Sequence, residues 1–209
     1  KTGKGEYGEG DQFIGVVVPN LRIVAKKHFD ADFDTLRELL ASPYHEYRLT
    51  ALLALTYRYA KLKDHTSRET CVNFYVSQVD AINNWDLVDL SCYKILGHWL
   101  FDKDKQLLYD WAKENHLWKQ RIAMISCMHF VKQGEFKDAL AIADLLQHHP
   151  HDLIHKAVGW ILREIGKEDE QLLVDYLTPR YKEMPRTMLR YAIERFEEEK
   201  RKAFLNSTI

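Results

Sequence analysis

The sequence predicts an all-α chain built as an α-solenoid, a stack of helix pairs. Three observations carry that prediction. Apolar residues recur at helical spacing through residues 19–204, proline or glycine punctuates the segments, and the segments come in repeating pairs. The second segment of each pair begins near Glu46, Trp85, Trp118, Asp152 and Pro185, a spacing of 39 and then 33 to 34 residues. Arg121-Ile-Ala-Met-Ile and Lys156-Ala-Val-Gly-Trp superpose at an offset of 35, and Arg48-Leu-Thr-Ala-Leu has the same pattern. A period of this size made of helix pairs marks a solenoid, in which each repeat buries its apolar face against the next.

Residues 1–18 form the glycine-rich N-terminal segment, with strand-like alternation only over Phe13–Val18, and Pro19 is the expected start of the first helix. Helical periodicity then covers 33–42, 47–62, 67–81, 85–101, 104–114, 117–132, 135–147, 153–165, 169–178 and 185–197. Breaks fall at Ser42-Pro43, Gly134, His149-Pro150, Gly166 and Met184-Pro185. Asn83 or Asn84 caps the helix that opens at Trp85, and Asp86 suits its positively polarised first turn. The run Glu197–Lys202 reads as a solvated helix face.

With 209 residues, 46% hydrophobic and 29% charged, the chain is expected to form one globular domain over residues 1–209. A net charge of −1 excludes a global basic field, so an anionic partner would have to meet a local basic face. Cys71, Cys92 and Cys127 are widely spaced and form no CxxC, which predicts buried thiols in a reducing, cytoplasmic compartment. No apolar run approaches the roughly 20 residues of a membrane span, and no signal peptide is visible. The chain starts at Lys1 without Met, so residues upstream are expected to have been removed or left out.

Charge is segregated between the helices of each pair. The second helices carry Arg48; Trp85 with Asp89; Trp118 with Lys119 and Arg121; Lys156 with Trp160 and Arg163; and Arg186 with Arg190. Acids gather on the first helices and the tail, at Glu38, Glu114, Asp138, Glu168, Asp169, Glu170 and Glu197–Glu199. In a curved stack the second helices line the concave wall, so these side chains are expected to face one space. Lys156, Trp160 and Arg163 (i, i+4, i+7) make one basic and aromatic stripe, which suits a phosphodiester backbone. Asp89 lies four residues after Trp85, so the two project about 40° apart on one helix face. Unlike Asp86, it is no part of the helix start.

Three motifs carry a family resemblance. Trp85-Asp-Leu-Val-Asp89, Leu117-Trp-Lys-Gln-Arg121 and Lys156-Ala-Val-Gly-Trp-Ile-Leu-Arg-Glu164 resemble, in order and separation, the AlkD family of DNA glycosylases, HEAT-like repeat proteins that remove alkylated bases. Phe13-Ile-Gly-Val and Pro19-Asn-Leu-Arg22 resemble the family's N-terminal signature, and Pro185–Phe196 its last repeat. The resemblance implies that Asp89 is the catalytic carboxylate, that Trp85 and Trp160 are aromatic plates around the lesion's sugar, and that Arg121 is the basic residue beside them. It places Lys156 and Arg163 near the DNA backbone, a role to which charge and position add Lys119, Arg186 and Arg190, and also Arg48, which reads equally as a salt-bridge partner within its repeat. Asn84 stands where family members can have Trp, and the resemblance leads one to expect the family's upstream helices to be shortened or absent before Lys1.

The implied partner is duplex DNA with alkylated purines, bound by a monomer in the cytoplasm, at the nucleoid in a bacterium. An N3- or N7-alkylated purine already carries positive charge and leaves readily. The demanding species is the oxocarbenium-like sugar, which an ionised Asp89 would stabilise. A nearby cation such as Arg121 favours that ionised form. The indole faces attract cationic or polarised groups by about 0.5–2 kcal/mol. The resemblance also implies catalysis without a base pocket, hence tolerance of bulky adducts.

Two other readings compete: a non-catalytic binder of damaged or branched DNA, and a HEAT-like protein–protein scaffold. A pure binder has no need of Asp89, and a scaffold would show an apolar wall. No cofactor and no metal are expected. Gly3-Lys-Gly-Glu-Tyr-Gly8 matches a nucleotide-binding fingerprint literally but follows no strand. His148, His149, His151 and His155 lack an acid or thiol to complete a metal set. Trp99 and Trp111 read as core, as does Trp118 on balance.

Overall fold

The computed structural model describes residues 3 and 7–208, and among them the chain is helical with no sheet strand. Its contacts cluster into two compact units, Lys1–Asp102 and Lys103–Ile209. The first unit holds α1 (Val18–Lys27), α2 (Phe33–Leu40), α3 (His45–Lys61), α4 (His65–Ser77), α5 (Trp85–Asp89) and α6 (His98–Leu100). The second holds α7 (Gln106–Lys113), α8 (Leu117–Lys132), α9 (Lys137–Leu146), α10 (Asp152–Glu168), α11 (Glu170–Leu177), α12 (Arg186–Ala192) and α13 (Glu198–Asn206). The second helices of the pairs begin at His45, Trp85, Leu117, Asp152 and Arg186. Each start lies within one residue of the position read from the sequence. The fold is the all-α solenoid class expected.

Local chemistry sets the boundaries. Asp32, Asp64 and Asp169 cap α2, α4 and α11 by accepting from Thr35 N at 2.7 Å, Ser67 N at 2.8 Å and Leu172 N at 2.9 Å. Gly134 ends α8 in a left-handed conformation (φ 78°) that a side chain would strain. Successive helices then bury their apolar stripes on one another. In the first unit α3 packs on α1, α2 and α4; in the second α8 packs on α7, α9 and α10, and α10 packs on α11 and α12. α8 is buried over most of its circumference, from Gln120 to Met128 and at Phe130 and Val131. The charged tail is a helix whose Phe204 is buried against the Tyr181 and Phe196 rings, at centroid distances of 5.3 and 5.7 Å.

Two expected elements differ. The segment expected as a strand is part of an extended strap over residues 11–17, and Val18 already opens α1. Its amides at Ile14, Gly15 and Val16 are taken by the Glu46 carboxylate at 2.8 to 3.3 Å, leaving none for a sheet partner. Gly15 has φ 85° there, and three consecutive N–H groups turn inward around one anion. The continuous helix expected over 85–101 is interrupted after Leu90 and passes through a π-helical turn at Tyr93–Gly97. Buried Ser91 back-bonds to Leu87 O at 2.5 Å and meets the Tyr75 hydroxyl at 3.0 Å, an interaction that bends helices.

Close packing in the second unit requires glycine. A Cβ on Gly159 would lie 2.6 Å from Met188 O and 2.5 Å from Tyr191 Cβ, so α10 and α12 touch backbone to backbone. On Gly166 a Cβ would meet only the mobile end of Leu173 at 2.4 Å. Gly159→Ala is expected to destabilise the protein by about 1–3 kcal/mol in urea denaturation. Gly166→Ala should stay within about 1 kcal/mol of wild type, because Leu173 can turn aside and alanine favours the helix.

Candidate functional site

In the first unit the site is built on α5, a helix of five residues. So short a helix does not hold itself together in water. Asn84, its N-cap, accepts from Trp85 N at 2.7 Å through Oδ1 and donates through Nδ2 to Asp11 Oδ2 at 2.6 Å. Asp86 Oδ2 lies 2.8 Å from His45 Nε2. With both neighbours turned inward, the Trp85 ring is left 46% exposed. Asp89, half-buried, ends the same helix, one turn from Trp85 on the same face. At a helix C-terminus a carboxylate meets the negative end of the dipole, so the stabilising acid of α5 is Asp86, not Asp89. Burial, and with it the charges at Cys92 and Asp89, pushes the Tyr75 phenol well above its ordinary range, so Tyr75 stays protonated beside Ser91.

Arg48 departs from the expected DNA-binding role. It is 7% exposed, and its Nη2 is held by Asp11 Oδ1 inside the same cluster. A guanidinium in that position compensates a buried carboxylate and is not presented to a phosphate.

In the second unit α10 turns Leu153, Ile154, Ala157, Val158, Ile161, Leu162 and Ile165 inward. Lys156, Trp160 and Arg163 form a half-buried stripe on its other side. Three cations of the expected face have acidic partners: Lys156 with Asp152 at 2.8 Å, Arg163 with Glu194 and, at 3.5 Å, Glu164, and Lys119 with Glu114 at 2.7 Å. Arg186 and Arg190 on α12 are exposed. Arg121 is 4% exposed, and its Nη1 donates to Leu153 O in the first turn of α10. It is an internal tie between α8 and α10 and does not stand on the stripe. Trp111 is core at 5% exposure, Trp118 is half-buried, and Trp99 is half-buried against the His65 ring at 4.7 Å.

The histidines before α10 serve the backbone. His149 Nδ1 accepts from His151 N at 3.0 Å, and His151 Nδ1 from Leu153 N at 3.1 Å. Burial, with the neighbouring histidine charges, lowers the pKa of His149, and burial lowers that of His151 despite Asp152. Both changes favour the neutral ring that can accept. Cys71, Cys92 and Cys127 are free and buried.

Sequence reasoning missed Asp11, His45 and Glu46. Their partners lie 30 to 41 residues away or more, and no periodicity reports such contacts. The available signal was a His-Glu pair in the first turn of a long apolar helix.

Residues 1–196 match the model of a protein family described as DNA alkylation repair enzyme. A solved structure described as a predicted DNA alkylation repair enzyme from Enterococcus faecalis is similar to this chain, with a TM-score of 0.70 at 14% identity over 90% of each chain. At that identity the likeness speaks for the fold alone. No protein of curated function matches the chain in sequence.

The burial of Arg48 separates it from the surface arginines in a stability measurement. Arg48→Ala strands the Asp11 carboxylate, whose side chain is 5% exposed, and should cost about 3–5 kcal/mol in denaturant. Arg190→Ala should change stability by no more than about 0.5 kcal/mol.

Proposed function

The chain belongs to the family of DNA alkylation repair enzymes, and from that premise we propose that it is a glycosylase releasing cationic alkylated purines from duplex DNA. The observation that carries this reading is the pair on α5. A large indole is left 46% exposed, with a half-buried carboxylate one turn along the same helix face, on an element anchored from both flanks. Exposed tryptophan forgoes burial worth roughly 1.5–3 kcal/mol for a large apolar side chain, which fits a surface that waits for a partner.

Asp89 supplies a fixed negative charge near C1′ as the bond to the purine nitrogen breaks. The bonding pair goes to the base, which leaves neutral because it carried a positive charge, and the sugar becomes oxocarbenium-like. Water adds to C1′ and its proton passes to solvent, leaving an abasic sugar. Trp85 packs on the sugar, where an aromatic face attracts polarised C–H groups. In the second unit Trp160 is an aromatic contact, and Lys156, Arg163, Lys119, Arg186 and Arg190 meet phosphates. For the first three, phosphate exchanges with an acidic partner already in place. Arg121 contributes by fixing the start of the helix that carries Lys156 and Trp160.

The test is release of free base from a duplex containing 7-methylguanine, in single turnover. Asp89→Asn keeps shape and removes charge, and should slow release about 100-fold or more, in line with the 2.7–4 kcal/mol lost with one electrostatic stabiliser. Affinity for the same duplex should stay level or rise. Trp85→Ala should slow release less and weaken binding more. Arg186→Ala and Arg190→Ala should each flatten the salt dependence of binding by roughly one phosphate contact. Undiminished release by Asp89→Asn would overturn the mechanism. No release by wild type from 7-methylguanine or 3-methyladenine would favour a DNA-binding role instead.

A further inference from the structure

The buried cluster behind α5 has a composition that packing alone does not require. The His45 imidazole is 3% exposed and lies between two carboxylates. Its Nε2 is 2.8 Å from Asp86 Oδ2, and its Nδ1 is 3.3 Å from Asp11 Oδ2 in a contact that is an ion pair and not an aligned hydrogen bond. The Phe13 ring covers one face at 4.8 Å. Arg48 holds the other oxygen of Asp11, and Asn84 donates to the same oxygen that faces His45. Glu46, the next residue on α3, is occupied by the strap amides. The charges facing the imidazole are therefore Asp11 from the strap, Asp86 from α5 and Arg48 from its own helix.

Two carboxylates against one guanidinium leave a net negative charge in a largely buried space, where only the Asp86 side chain is partly exposed. An imidazolium cancels it, and a neutral imidazole does not. We propose that His45 is a positioning residue whose protonated ring clamps the N-terminus of α5 and so sets the presentation of Trp85 and Asp89. The inference rests on the catalytic reading of those two residues, and the clamp itself is a statement about α5 alone. A five-residue helix needs an outside anchor. Its two N-terminal anchors, Asn84 and Asp86, both end in this cluster and flank Trp85 directly.

The protonation equilibrium agrees with the geometry. Burial pushes the His45 pKa down, but the hydrogen bond and charge of Asp86, with the charge of Asp11, outweigh it and the opposing Arg48. The net displacement is upward from 6.5. A group raised on folding stabilises fully below its unfolded pKa, and that contribution is lost as pH rises through the folded value. The clamp thus holds fully below pH 6.5 and loosens as pH rises through the raised folded value.

Two measurements on the full chain test this. Hydrogen exchange of the 84–91 amides, corrected for intrinsic rates, should show protection in wild type at pH 6 that falls by about tenfold toward pH 9. His45→Gln, which keeps a donor toward Asp86 but no charge, should show the low protection at both pH values. Single-turnover release from a 7-methylguanine duplex should fall about tenfold in His45→Gln, with binding weakened no more than in Trp85→Ala. Asp86→Asn serves if His45→Gln fails to fold: the His45 ring, followed by NMR, and the alkaline limb of the release profile should move together to lower pH by about one unit. Protection of 84–91 that is independent of pH and of His45 would overturn the clamp. So would wild-type release and pH profile in His45→Gln. If wild type releases no base, the glycosylase reading fails while the exchange measurement still decides the clamp.

Discussion

The carboxylate of Asp11 lies inside the first unit with one oxygen on Arg48 and the other on Asn84 and His45, and the placement of the candidate site follows from satisfying it. A buried charge is tolerated only when paired and hydrogen-bonded. Meeting that condition draws three separate stretches together: the N-terminal strap, the first turn of α3 and the start of α5. The Glu46 carboxylate does the same work beside it. Burial alone would raise its pKa, but the strap amides outweigh burial and leave it lowered, so it remains an anion at neutral pH. Two acids thus pin a strap that has no regular secondary structure of its own.

The strap in turn explains why α5 can be so short. Helices in this protein stabilise one another through apolar faces, and α5 turns only Leu87 and Val88 inward. What apolar burial does not supply, the polar cluster does. Trp85, between the two anchors, is left facing solvent on an element held from both flanks.

The second unit solves a different problem. Its cations stand among acids, and the pairs Lys156–Asp152, Arg163–Glu194 and Lys119–Glu114 hold long side chains in place before any ligand arrives. Exposed pairs of this kind add little stability. On the proposed reading their consequence is for binding, where a phosphate would have to displace a carboxylate already in place. Below that surface, α10 is fixed by the hydrogen bond from Arg121 of α8 to its first-turn carbonyl at Leu153 and by the direct backbone contact of Gly159 with α12.

The helical periodicity, the punctuation by Pro43, Gly134, Pro150 and Pro185, and the repeat of paired segments determined the fold class and the start of each second helix to within a residue, because these signals are local and each is written within one turn or one repeat. The same local logic placed Trp85 with Asp89, and Lys156 with Trp160 and Arg163, since side chains four apart share a helix face whatever surrounds them. It could not tell Arg48 and Arg121, which are buried, from Arg186 and Arg190, which are exposed. A cation's partner is chosen by three-dimensional neighbours, and Asp11 lies 37 residues from Arg48 as Leu153 O lies 32 from Arg121. The Phe13–Val18 segment reads as a strand until Glu46 claims the amides of Ile14, Gly15 and Val16, and α5 reads as part of a longer helix until Ser91 and Tyr75 meet. Tertiary structure decided these points because the free energy of a buried polar group depends on what it can reach in space, and sequence separation does not limit that reach.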